Sequence, residues 1–280
     1  MALSKKSRAM ETVYLFAAFP AEAKPFIKHF KLKKELSINA FAIYRHAQVT
    51  LTLTGLGKPA MAAGLAYTLA RFPADNGQAI LLNIGIAGHW QHPLGSLFCA
   101  EKIIDQETQA VYYPQLVATP PCVSQPLTTV GRPELEYKEN TLYDMEAAAF
   151  YATAIRFSSS ELIQCIKVVS DNKANPAHQI KPAHVSELMQ AAVPVVTEYI
   201  ERLSALSALT QAPHIAFYAE IVAQTHFTQQ QQQQLKALLD QRRLLIADEL
   251  DITALYQYSA PEILKALQQE LNKHTFGGFA

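Results

Sequence analysis

Asp144 and Glu146 stand one residue apart in Thr-Leu-Tyr-Asp-Met-Glu-Ala-Ala-Ala-Phe, residues 141–150. The alanines behind them predict a helix over about 145–157 that can press closely on a sheet. Unpaired N–H groups and the dipole at its start favour a carboxylate. Read alone, the pair is an ordinary acidic helix start. Glu22, after Phe19-Pro20-Ala21, reads as another, and Asp171, after Val168-Val169-Ser170, as a turn residue. Carboxylates of this kind can deliver or accept a proton once burial or a second acid shifts them. His89 and His92 have a spacing that could bind metal, but no second cluster completes it and Trp90 and Pro93 suggest a loop. No metal and no cofactor is expected. Gly55-Leu56-Gly57-Lys58 lacks the spacing of a nucleotide P-loop, and Ser170 has neither a Gly-x-Ser-x-Gly context nor a nearby His.

The elements that must position these residues alternate. Residues 13–19 read as an apolar strand and 21–30 as a helix. Residues 41–45 and 49–54 read as a hairpin through His46-Ala47-Gln48. A glycine turn at 54–58 leads into a helix over 59–72, with Pro59 in its first turn. Residues 79–84 form an apolar run, as in a strand buried on both faces, and lead into Gly85-Ile86-Ala87-Gly88. Strands are expected at 96–104 and 162–169, and a helix at 185–206. Residues 105–140, rich in Pro, Thr and Gln, read as loops and short strands. Strand, glycine turn and helix in repetition mark an α/β layer, whose ligands bind beyond the carboxyl ends of the strands.

A chain of 280 residues, half of them apolar, suits one medium domain with an appendage. The division is expected as 11–206 and 210–280, the second part all helical at 215–225, 229–247 and 260–273. Composition shifts near 207–214, and glycine is absent from there to Gly277. The run Gln229 to Gln234 reads as the polar start of an amphipathic helix, with Thr228 and Gln231 as a capping box. Lys+Arg and Asp+Glu are both 24, so no global charge marks a nucleic acid or an anionic membrane as partner. Cys99, Cys122 and Cys165 show no disulfide or redox spacing, which suits a reducing cytoplasm. Lys5, Lys6 and Arg8 before the first apolar run loosely mimic a leader, but that run is short and reads as a buried strand.

Six segments agree with one another: Phe19-Pro20-Ala21-Glu22, Thr54-Gly55-Leu56-Gly57-Lys58, Asn83-Ile84-Gly85-Ile86-Ala87-Gly88, Leu94-Gly95-Ser96, Asp144-Met145-Glu146-Ala147-Ala148 and Val168-Val169-Ser170-Asp171. In this order they resemble the purine nucleoside phosphorylase and nucleosidase superfamily, over about residues 13–203. The likeness is greatest to its branch that hydrolyses methylthioadenosine and adenosylhomocysteine. The resemblance implies a three-layer α/β/α sandwich around a twisted mixed sheet, an N-glycosidic hydrolase, a purine nucleoside as partner and a homo-oligomer, here a dimer. It assigns Asp171 as the acid that protonates the leaving purine at N7, and Glu22 as the base that orients water. It assigns Glu146 as the grip on the ribose hydroxyls and Met145 as the residue packed under the ribose. Gly57, Ile86, Ala87, Gly88, Ser170 and Lys167 complete the expected pocket. Such cleavage passes through an oxocarbenium-like state, which explains the demand for acids.

This chain also departs from the pattern. Ile86 stands where nucleosidases of this branch have Ser, and Lys167 where they have Arg, whose planar fork a lysine cannot reproduce. The Gly-Asp-Pro-x-Arg pattern of hexameric phosphorylases is absent, which favours water over phosphate. The Ser-Gly-Asp-x-Phe loop that reads the purine is also absent, leaving Tyr112, Tyr113 or Tyr143 as candidate substitutes. Gly-Ile-Ala-Gly and Met-Glu-x-Ala-Ala-Phe also occur in futalosine hydrolases. A phosphorylase and a non-catalytic nucleoside-binding protein stand as the alternatives.

Overall fold

The structure, a computed structural model, describes residues 11–74, 79–210, 214–246, 248 and 250–276. Lys5, Lys6, Arg8 and Gly277 lie outside the described residues. The chain divides into two compact units, the break falling after Ala208.

The first unit is built on one mixed sheet of ten strands. β1 (Val13–Ala17) lies between β4 (Val49–Leu53) and β5 (Ile80–Gly88), parallel to both. β3 (Ala42–His46) returns antiparallel along β4 through a turn in which Ala47 adopts a φ of 49°. β2 (Lys33–Lys34) closes that edge. β10 (Ile163–Asp171) runs parallel to β5 and antiparallel to β6 (Leu97–Asp105), and β7 (Val111–Tyr112) pairs with β6. β8 (Val123–Thr129) lies parallel to both β6 and β9 (Leu142–Asp144), and β9 pairs with β5 at Gly88 and Tyr143. Strands β5, β10, β6, β8 and β9 therefore close into a ring. That closure brings the strand ends carrying Gly88, Asp144 and Asp171 together.

Helices cover both faces. All of β1 is buried, as a strand covered on both sides must be. Val13, Leu15 and Ala17 join a core with α1 (Pro20–His29) and α4 (Pro182–Thr210). Tyr14 and Phe16 join the opposite core, with α2 (Lys58–Arg71) and α3 (Ala147–Ala154). The period-two alternation of a strand thus feeds two helical layers, giving the expected three-layer α/β/α architecture. Buried Ala147, Ala148 and Ala154 give α3 its apolar face.

The stretch 105–140 holds more regular structure than its composition suggests. β8 is seven residues long and lies inside the sheet. It contains Pro126, and its apolar pattern is weak, so its pairing comes from the neighbouring strands rather than from local preference.

The second unit holds α5 (His214–Gln224), α6 (Gln229–Leu245) and α7 (Ala260–Phe276). The glutamine run opens α6, and Thr228 and Gln231 exchange side-chain-to-backbone hydrogen bonds of 3.3 and 2.9 Å. Leu235, Leu238, Leu239, Ile263, Leu267 and Leu271 build its core. Arg242 reaches both carboxylate oxygens of Glu270 at 2.8 and 2.9 Å. Among the described residues no helix is long and apolar enough to cross a membrane.

Candidate active site

Carboxyl ends of β1, β5, β9 and β10 meet at a cavity of about 510 Å³. Glu22, Asp144, Glu146 and Asp171 all line it, although they come from four separate segments. Glu134 is a fifth acid on its wall. None of the described lining residues is Arg, Lys or His. The rest of the wall is largely apolar, with Phe19, Leu56, Val130, Pro133 and Ile180 among its residues.

Glu22 lies in the first turn of α1 and turns its side chain back over the helix start. One carboxylate oxygen accepts the N–H groups of Ala18 and Phe19, each at 2.9 Å; the other accepts Ile86 N–H at 2.9 Å. Burial raises its proton affinity above the ordinary value, against the pull of Lys167 and these three N–H donors. The result is a fixed carboxyl shifted in the direction a general base needs. Ile86 contributes its backbone here. Its side chain lines the cavity and packs on the core, an apolar group where a serine would present a hydroxyl.

Glu146 is the N-cap of α3. It accepts Gly57 N–H at 2.7 Å and Met145 N–H at 3.3 Å. Burial, and then the neighbouring Asp144 charge, push it up to about 7. Asp144 accepts Thr129 Oγ1 at 2.7 Å, Ala147 N–H at 2.9 Å and Lys167 Nζ at 2.8 Å. Burial disfavours the Lys167 ammonium, but Asp144 and Glu146 outweigh it and raise its proton affinity. Lys167 therefore carries its charge fully buried.

Asp171 ends β10. Tyr137 Oη donates to its Oδ2 and Ser170 Oγ to its Oδ1, both at 2.5 Å. Its backbone carbonyl accepts His89 N–H at 3.0 Å. Glycines of β5 make room for both groups of acids. A Cβ on Gly85 would lie 2.7 Å from Glu22 Oε1 and 3.5 Å from Lys167 Nζ. One on Gly88 would lie 2.5 Å from Asp171 Oδ2 and 2.7 Å from Tyr137 Cε1. The Asn-Ile-Gly-Ile-Ala-Gly motif is thus a strand end stripped of side chains where the acids stand.

Of the residues assigned from the sequence, Glu22, Met145, Glu146, Ile86, Ala87, Gly88, Ser170 and Asp171 line the cavity. Two do not. Gly57, with a φ of 90°, lies behind the wall and offers its N–H to Glu146. Lys167 lies beneath it, bound to Asp144, because an uncompensated ammonium would be costly there. Of the candidate base-stacking tyrosines only Tyr143 lines the cavity. Tyr112 packs against Tyr151 and Tyr113 is exposed, because the β7 segment that carries them pairs along β6. His89 and His92 stack with ring centroids 4.0 Å apart, and both His89 nitrogens are occupied, by Asn140 and by the N–H groups of Gln91 and His92. Burial and then His92 push His89 down to about 4, so it is neutral.

Sequence reasoning missed Tyr137 and Glu134. Both lie in the aperiodic stretch before β9, and Tyr137 meets Asp171 across 34 positions. One signal was present, a cluster of acidic and aromatic residues, Glu134, Glu136, Tyr137 and Glu139, between Pro133 and β9.

No family model matches the chain, and no curated protein does. Solved structures do. The methylthioadenosine nucleosidase of Arabidopsis thaliana in apo form superimposes with a TM-score of 0.56 at 16% identity, over 70% of this chain and 97% of that one. The S. pneumoniae 5'-methylthioadenosine/S-adenosylhomocysteine nucleosidase, solved with a transition-state inhibitor, gives 0.54 at 17%, over 69% and 99%. Futalosine hydrolase of Helicobacter pylori gives 0.56 at 10%, over 69% and 98%. These likenesses establish the fold: about 70% of the chain superimposes on nearly the whole length of each of these proteins.

Proposed function

We propose that the first unit hydrolyses the N-glycosidic bond of a purine nucleoside, with methylthioadenosine and adenosylhomocysteine as the first substrates to test. In this reading water attacks the anomeric carbon while the bond to the purine breaks. Glu22 takes the proton of the water, Asp171 gives its proton to N7 of the leaving base, and Glu146 binds the ribose hydroxyls. The carrying observation is the sign of the cavity. Every described charged residue lining it is acidic. A cationic, oxocarbenium-like state is favoured by such a wall. A phosphate dianion is not, and none of the described lining residues is an arginine that could cradle one, which argues against the phosphorylase reading.

The test is release of free base from methylthioadenosine, adenosylhomocysteine and futalosine by the purified protein, with and without phosphate. Base released without phosphate is expected. A strict phosphate requirement would make the protein a phosphorylase, and binding of a nucleoside without cleavage would make it a binding protein. A cytoplasmic homodimer belongs to the same reading, supported by the resemblance and by three free cysteines. Light scattering of the purified protein tests the dimer.

A further inference from the structure

Resting on the hydrolase reading, we propose that Tyr137 is a positioning residue that fixes which oxygen of Asp171 carries the proton to the base. Tyr137 is 1% exposed, yet its backbone takes a φ of 47°, a left-handed conformation that a bulky residue adopts at a cost. Such strain persists only where neighbours impose it. Here they do. Glu134 Oε1 accepts the N–H groups of Glu136 at 2.7 Å and Tyr137 at 3.3 Å, clamping the turn. The Tyr137 ring packs with Val130 and at 6.2 Å against Tyr143, whose hydroxyl accepts Glu139 N–H at 3.1 Å. Gly88 leaves the space the ring edge occupies. All of this delivers one hydroxyl to Asp171 Oδ2.

The two oxygens of Asp171 are then unlike. Oδ2 receives the proton of a phenol. Burial, and then Asp171 itself, hold that phenol to its proton well above the ordinary range, so it stays a donor. Oδ1 faces Ser170, whose hydroxyl has a second acceptor in the Ala87 carbonyl at 3.4 Å. Ser170 can turn to that carbonyl and accept a proton carried on Oδ1; Tyr137 holds Oδ2 as the carbonyl-like oxygen. When the Oδ1–H bond breaks and N7–H forms, the carboxylate left behind keeps its Tyr137 hydrogen bond. That bond is stronger to the anion than to the acid, so it favours the transfer.

The test is Tyr137→Phe, which keeps the ring and its packing. With base release as the assay, kcat is expected to fall about 10- to 100-fold while KM stays within about threefold. An unchanged kcat, or a loss lying in KM alone, overturns the proposal. A second measurement needs no turnover. The hydroxyl proton of Tyr137 should appear as a protected, downfield proton resonance in the wild-type protein, vanish in Tyr137→Phe and move in Asp171→Asn. Its absence from the wild type overturns the proposal even if the phenylalanine variant fails to fold. No cleavage by the wild type would instead overturn the reaction reading, and this acid role with it. Cleavage with an indifferent Tyr137→Phe overturns only the role of Tyr137.

Discussion

The cavity has two acidic walls that are held in opposite ways. On one, Glu22, Asp144 and Glu146 are fixed by backbone N–H groups and by the buried ammonium of Lys167. On the other, Asp171 is held by the neutral hydroxyls of Tyr137 and Ser170. The first wall has a fixed countercharge, which suits groups that must hold their place beside developing positive charge. The second has donors that can rotate or stay as a proton leaves, which suits an acid. The same functional group is thus set in two different environments, and the proposed reaction would use it in two roles. Strand β5 serves both walls, with Gly85 opening room on one side and Gly88 on the other.

The sharpest break in this comparison is Asp171→Asn. It keeps the shape of the hydroxyl-held wall but cannot serve as the proposed acid, and turnover should fall at least about a hundredfold. A near-normal rate would remove Asp171 from the reaction. The matching break on the first wall is Lys167→Met. It leaves buried carboxylates without their countercharge and should cost about 3–5 kcal/mol of stability, read from denaturant unfolding. Because Lys167 does not line the cavity, its damage should appear in stability before it appears in KM.

Glu146 makes the first wall sensitive to pH. Its ordinary value is 4.5 and in the fold it lies at about 7. Between the two, the folded protein retains a proton that the unfolded chain has released, so the unfolded state binds fewer protons and stability falls as pH rises. The loss, on the order of 3 kcal/mol at most, is complete above about pH 7. Melting temperatures of wild type and Glu146→Gln, compared at about pH 5 and pH 8, should show the wild type losing more. An equal loss in both would mean that Glu146 is not the group concerned.

The smallest effects come from the shared strand. Gly85→Ala and Gly88→Ala each force an atom into occupied space, at about 1–3 kcal/mol. The first should displace Glu22, the second Asp171 and Tyr137. If both variants change the pH profile of turnover in the same way, the two walls are not separable.

How much of this could be read in advance differs from residue to residue. Glu22, Glu146 and Asp171 stand in short motifs at strand ends, and those motifs carried the fold and nominated the acids. Lys167 and Gly57 were nominated too, but for the cavity, whereas they act from behind it. Their motifs mark proximity, and proximity does not say which side of a wall a side chain occupies. The tyrosines show the same limit. A stacking role was open to three of them, and only Tyr143 lines the cavity. Tyr137 had no periodicity around it and no motif, so nothing local distinguished it.

The sequence by itself determined the layers. The apolar run of β1, the glycine turns and the small-residue helices act through contacts within a few positions, and such patterns are legible because they are periodic. Tertiary structure decided the closure of β5, β10, β6, β8 and β9 into a ring, and with it which acids share a cavity. It also decided that a tyrosine 34 positions from Asp171 reaches it and that a lysine is buried beneath three acids. These are pairings across long stretches of chain. Their energies depend on burial and on direction, and neither is defined until the sheet has closed.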